Sequence, residues 1–151
     1  MAARKIKITE NIIREHISRN IEKWLFTGHI ADYHINAEGT ELLARLGKYS
    51  DGRLISRASS FLDMSGGDDI IDGLAADLQG CAAVILRWLC SDTNHLLTLR
   101  FTQFPKGVSG ITCSISDQSI TEANEYVALL CKNEQYPFYL LNAYPVKVFL
   151  S

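Results

Sequence analysis

Several things this chain has little of narrow its class. Only 3 of its 151 residues are proline and 10 are glycine, which excludes collagen-like and low-complexity sequences. There are 4 cysteines, Cys81, Cys90, Cys113 and Cys131. None forms a C-x-x-C pair, and all sit inside apolar patterns, so they read as buried thiols in a reducing compartment. No apolar run reaches the ~20 residues that span a bilayer; the longest, CAAVILRWLC, is interrupted by Arg87. The opening MAARKIKITE is basic but no apolar core and small-residue cleavage site follow it. The expectation is no secretory leader and a cytoplasmic location. Ser65-Gly66-Gly67-Asp68 lacks the lysine of a phosphate loop and follows no strand pattern. No cysteine–histidine frame or nucleophile elbow is recognisable, so no catalytic residue is assigned.

What is present describes an ordinary globular domain. Hydrophobic residues make up 47% and charged residues 21%, near the averages for folded proteins. The length suits one domain over 1–151. The net charge of −2 is uneven: +3 through Ser60 and −5 from Phe61 onward. A nucleic-acid binder is normally more basic, which makes that partner unexpected. An acidic half suits a basic protein partner.

Hydrophobic periodicity sets the expected elements. RKIKI (4–8) alternates as a short edge strand or a lead-in would. Ile13, Ile17, Ile21, Trp24 and Leu25 make one helical stripe, with Thr9 as N-cap and Gly28 as C-cap. Residues 29–39 lack a period and read as a connection. TELLARLGKY predicts a short helix ending near Gly47. Leu54, Ile55, Ala58, Phe61 and Leu62 fit helical spacing, although Asp51-Gly52 and Ser59-Ser60 weaken it. A helix starts near Asp68, with Ile70, Ile71, Leu74, Ala75 and Leu78 as its stripe. Ala82–Cys90 fits a continuing helix or a buried strand, and its length favours helix. From His95 to Ser151 the pattern is β-β-α-β: a strand around Leu97–Phe104, a Pro105-Lys106-Gly107 turn, a strand over Val108–Ser116, a helix carrying Tyr126, Val127, Leu130 and Cys131, and a last strand from Phe138. Pro145 belongs at an edge, a bulge or a break. The class is α+β, with N-terminal helices packed on a small, mainly antiparallel C-terminal sheet.

Two motifs invite chemistry. Asp68-Asp69-Ile70-Ile71-Asp72 resembles the DDxxD signature of isoprenyl diphosphate synthases, a family in which two such motifs on facing helices hold magnesium against a diphosphate. Carboxylates at i and i+4 do share a helix face. The resemblance covers five residues, no second Asp-rich motif follows, and the C-terminal strands do not belong to that all-helical fold. The motif is read instead as an acidic helix start, and with Asp63 and Asp77 as an acidic contact patch. His29, Asp32 and His34 form H-x-x-D-x-H without a further ligand at zinc spacing, and are read as a loop. No metal or cofactor is expected.

The resulting expectation is a binding protein that is not an enzyme. Its sharpest form is an immunity protein or antitoxin that blocks a basic toxin domain. It would act through Asp63, Asp68, Asp69, Asp72 and Asp77, with Tyr136 and Tyr144 as aromatic anchors. The alternative is a small α+β enzyme or ligand-binding domain. Its pocket would lie between helices and sheet and be lined by His95, Cys113 or the His29–His34 segment.

Overall fold

The computed structural model describes residues 7–27, 29–92, 94–133 and 137–148; for His29 and Asp32 it describes the backbone alone. The basic lead-in through residue 6, Gly28 and Tyr136 lie outside the described residues.

Helix α1 spans Glu10–Phe26 and buries Ile13, Ile17, Ile21 and Leu25. Thr9 caps it, its Oγ1 accepting from the Ile12 amide at 3.2 Å, which satisfies one of the first-turn donors. Where a connection was expected, a short helix α2 (His29–His34) forms. It leads to a parallel bridge between Ile35 and Phe61. Asn36, at φ 53°, then locks the chain to Asp63: its side chain donates to the Asp63 carbonyl at 3.1 Å and accepts from the Asp63 amide at 2.8 Å. Helix α3 (Gly39–Arg45) follows and ends before Gly47.

The segment after Ser50, ambiguous in sequence although its apolar residues fit helical spacing, is β-structure. Strands β1 (Tyr49–Ser50) and β2 (Arg53–Leu54) form a hairpin. Its turn residues Asp51 and Gly52 have φ of 51° and 76°, and an Asp-Gly pair favours such a turn over a helix. Strand β3 (Arg57–Asp63) is then buried from Ala58 through Phe61. A strand covered on both faces loses the period-2 signal, so its apolar residues match helical spacing equally well. Helices α4 (Asp68–Gly80) and α5 (Ala82–Leu89) form as expected.

From residue 96 onward the structure is strand: β4 (Leu96–Phe101), β5 (Val108–Ser114), β6 (Thr121–Glu122), β7 (Glu125–Lys132) and β8 (Phe138–Val146). The helix expected across Tyr126–Cys131 is strand β7. It lies between β4 and β8, and Tyr126, Val127, Ala128 and Leu130 are all buried. Both faces are again covered, and tertiary pairing overrides a pattern that also fitted a helix. Gly107 (φ 82°) makes the β4–β5 turn.

Two three-stranded antiparallel sheets result, in the orders β3-β5-β6 and β4-β7-β8. One run of chain serves both. Thr121–Glu122 pairs with β5, the Ala123 amide donates to the Gly110 carbonyl at 2.8 Å, and the Asn124 amide donates to the Val146 carbonyl at 3.2 Å. From Glu125 onward the same run pairs with β8. The sheets meet where β5 and β8 touch: a Cβ on Gly110 would sit 2.6 Å from the Pro145 Cβ, so only glycine fits there. Pro145 itself lies on an edge strand of its sheet, where a missing N–H is tolerated.

Helices α1, α4 and α5 cover one face of the β4-β7-β8 sheet. The main core joins Ile13, Ile17 and Leu25 to Leu74, Ile85, Tyr126, Leu130 and Phe138. A smaller core under α3 gathers Leu42, Ala58 and Cys113. Among the described residues, no helix is long and apolar enough to cross a membrane.

Candidate functional site

The faces of the two sheets turned away from the main core enclose a cleft of about 1180 Å³. Its walls come from β3 and β5 on one side and from β4, β7 and β8 on the other, with α2 contributing His34. Three cationic side chains reach it, Arg57, Arg100 and Lys147, against one lining carboxylate, Asp117. Between them the walls are rich in hydroxyls, including Ser59, Thr98, Thr112, Ser114 and Thr121.

Strand alternation explains this lining. On β4, Leu97, Leu99 and Phe101 pack on the main core, so Thr98 and Arg100 face the cleft. On β8 the alternation needs help. Leu129 pairs with Asn142 but Leu130 pairs with Leu140, so Leu141 is an extra residue. This bulge reverses the side-chain order beyond it. Phe138 and Leu140 face the core before it and Ala143 after it, which leaves Asn142 and Tyr144 in the cleft. Without the bulge, Asn142 and Tyr144 would be driven into the core.

His34 is half-buried, and its Nδ1 lies 2.9 Å from the Ser59 carbonyl oxygen. A carbonyl only accepts, so Nδ1 carries a proton. The ring packs at 6.0 Å from the Tyr144 ring. Arg100 lies 3.5 Å from Glu125, with its side chain 60% exposed. Cys113 forms part of the floor, but burial pushes its thiol above the usual range, against smaller opposing effects from Ala58 and Arg45. A protonated, buried thiol is a packing group and not a nucleophile.

The residues picked out from the sequence fall into separate places. Tyr144 lines the cleft, and none of the five aspartates does. Asp63 is only 3% exposed. Its carboxylate accepts from the Ser65 hydroxyl at 2.6 Å, the Ser65 amide at 2.9 Å and the Ile70 amide at 2.9 Å. Burial pushes its pKa up, but these bonds, with one from the Gly67 amide, outweigh burial and hold it below 3.8. Asp63 is thus withdrawn from any partner and serves as the cap that Gly67, with no side chain, does not supply. Asp77 is half-buried and accepts from the Tyr126 hydroxyl. Burial first, then Asp77, raises the Tyr126 pKa far above the usual phenol range. Asp68, Asp69 and Asp72 remain together at the start of α4, with Asp68 and Asp72 exposed and Asp69 partly so.

Of the alternative pocket residues, His34 and Cys113 do line the cleft, while His95 does not. Arg57, Arg100 and Lys147 were not picked out. Their signal was weak, being isolated cations at strand ends. The alternating hydroxyls of Thr112 and Ser114 opposite Ile111 and Cys113 were the legible half of it. Among the described residues, no group of three or more histidine, cysteine or acidic side chains is gathered as a metal would require.

No protein-family model matches the chain, and no curated protein matches it. The fold does have a solved counterpart. A chain in the crystal structure of the CdiA-CT/CdiI complex from Y. kristensenii 33638 superposes with a TM-score of 0.64 at 18% identity, covering 79% of this chain and 99% of that one. At that identity the likeness is one of fold.

Proposed function

We propose that this chain is one member of a toxin–immunity pair and works in association with a protein partner. The support is the shared fold, which extends over nearly the whole of a chain from a toxin–immunity complex.

Either role in such a pair fits a fold of this kind. The sequence favours the neutralising member, an immunity protein that blocks a basic partner through an acidic surface. Asp68, Asp69 and Asp72 on α4 support that reading, with association speeded by opposite charge. Asp63 and Asp77 lend it nothing, since both carboxylates are engaged inside the fold.

The cleft supports the other role. A blocking surface has no need of a 1180 Å³ cleft lined by Arg57, Arg100, Lys147, His34 and Tyr144. An active member that handles an anionic substrate does. Guanidinium, ammonium and hydroxyl donors together suit phosphate oxygens, and an imidazole among them can donate or accept a proton. We therefore read the chain as the active member, acting on a phosphate-bearing substrate in the cleft. Arg57, Arg100 and Lys147 bind the substrate, and His34 is the acid–base group held by Ser59.

Expression of the chain alone in a bacterial host tests the choice. The expected result is growth arrest, relieved by His34→Ala or Arg57→Gln in variants that retain the folded circular-dichroism spectrum. Harmless expression, together with protection against a toxin encoded beside it, would reverse the assignment in favour of the immunity role.

A further inference from the structure

The outer edge of β4, whose Thr98 and Arg100 line the cleft, forms one rim of it. The sheet order ends at β4, and among the described residues no strand pairs with its far side. The ladder to β7 fixes which main-chain groups face outward. The Lys132 amide donates to the His95 carbonyl at 2.9 Å, so 95 and 132 are a hydrogen-bonded pair. The register Leu96↔Cys131 through Phe101↔Tyr126 then places Leu97, Leu99 and Phe101 in bonded pairs. The N–H and C=O groups of Leu96, Thr98 and Arg100 point away from β7. All three residues are exposed. No proline, lysine or bulge protects this edge, and an edge left in that state is a template for another strand.

Thr98 and Arg100 couple the edge to the cleft, because their side chains line it while their main chains face outward. A strand added along β4 continues the sheet, so every second side chain of the newcomer, about 7 Å apart, lies on the cleft side. That side carries Arg57, Arg100 and Lys147 against Asp117, with Glu125 3.5 Å from Arg100. Carboxylates at alternate positions meet these cations; lysines there are repelled.

We propose that the β4 edge is the docking site for an extended segment of the protein partner, added as a fourth strand to β4-β7-β8 and carrying Asp or Glu at alternate positions that reach into the cleft. Main-chain hydrogen bonds give such a complex its affinity and the alternate side chains its specificity. Neutralisation follows directly, since the partner's carboxylates occupy the cations that an anionic substrate needs. This rests on the pair reading for the existence of a partner, but its test uses the isolated protein.

The probe is an acetylated, amidated eight-residue peptide alternating Glu and Thr, titrated by NMR. Expected are shifts of the Leu96, Thr98 and Arg100 amides. Binding should fall about tenfold, equivalent to losing one charged hydrogen bond, for Arg100→Gln, for a peptide with Lys in place of Glu, and for one of two peptides N-methylated at alternate amides. Thr98→Pro removes an outward N–H without touching the ladder to β7 and should weaken binding likewise. The N-methylated peptides keep the test valid if that variant does not fold. Absence of binding at millimolar peptide, or binding indifferent to N-methylation, would overturn the proposal. So would a dimer of the chain in analytical ultracentrifugation that dissociates on Thr98→Pro, because a second copy would then own the edge. A harmless result in the growth test, with peptide binding intact, would remove the active role and leave the docking site standing.

Discussion

Asp63 ties the end of β3 to the start of α4 through bonds to Ser65 and Ile70. Asp63→Asn keeps the shape but loses charge-assisted acceptors. It should cost about 1–3 kcal/mol, read as a lower urea midpoint at pH 7. The pH dependence has a fixed sign. The carboxyl titrates lower in the folded state than the ordinary 3.8, so its stabilisation is complete above that value and fades as pH falls through the folded-state value. The gap between wild type and Asp63→Asn should therefore close in acid; a constant gap down to pH 2 would mean that the bonds, and not the charge, matter. Tyr126 makes a similar point with the opposite sign. Its phenol is buried and bonded to Asp77, so it should stay un-ionised in an ultraviolet titration for as long as the fold survives. Tyr126→Phe should cost about 1–2 kcal/mol by leaving Asp77 without its donor.

Among the elements, the helices were the more legible. The Ile13–Leu25 stripe, the Asp68 start of α4 and the helical nature of Ala82–Leu89 are written in a 3.6-residue period that a single exposed face preserves. The α+β class and antiparallel pairing followed from the same pattern. Strands β3 and β7 were not legible as strands, because each is covered on both faces, and burial of Ala58–Phe61 and of Tyr126–Ala128 leaves no alternation to read. The cleft was hidden for a related reason. Its β8 wall depends on the extra residue Leu141, which a period-2 reading has no means to anticipate. The contact between sheets offers a direct test at this scale. Gly110→Ala pushes a methyl group into Pro145 and should cost about 1–3 kcal/mol by overpacking. Pro145→Ala in the same chain should recover part of that cost. Strict additivity in a double-mutant cycle would show that the two do not meet.

For the whole molecule, charge is sorted by face and not by sequence half. The acidic residues after Phe61 include the exposed start of α4, the exposed Asp92, Asp117 and Glu122, and the inward-turned Asp63, while three cations against Asp117 line the cleft between the sheets. Partner or substrate binding through that cleft should weaken as salt rises toward the point where the Debye length falls below about 8 Å. An association constant unchanged between low and high salt would argue for the α4 face or an apolar contact instead. The run from Thr121 to Lys132 belongs to both sheets. Each sheet it joins also holds long-range pairs, Arg57 with Ser114 in the first and Leu96 with Cys131 in the second. Neither wall can therefore assemble as an independent folding unit. Long-range pairing of this sort makes for slow, all-or-none folding, so fluorescence of the two tryptophans and far-ultraviolet dichroism should lose their signals at one rate. The cleft then has no half-formed state: whatever breaks one wall abolishes the other, and the molecule is either fully competent or fully inert.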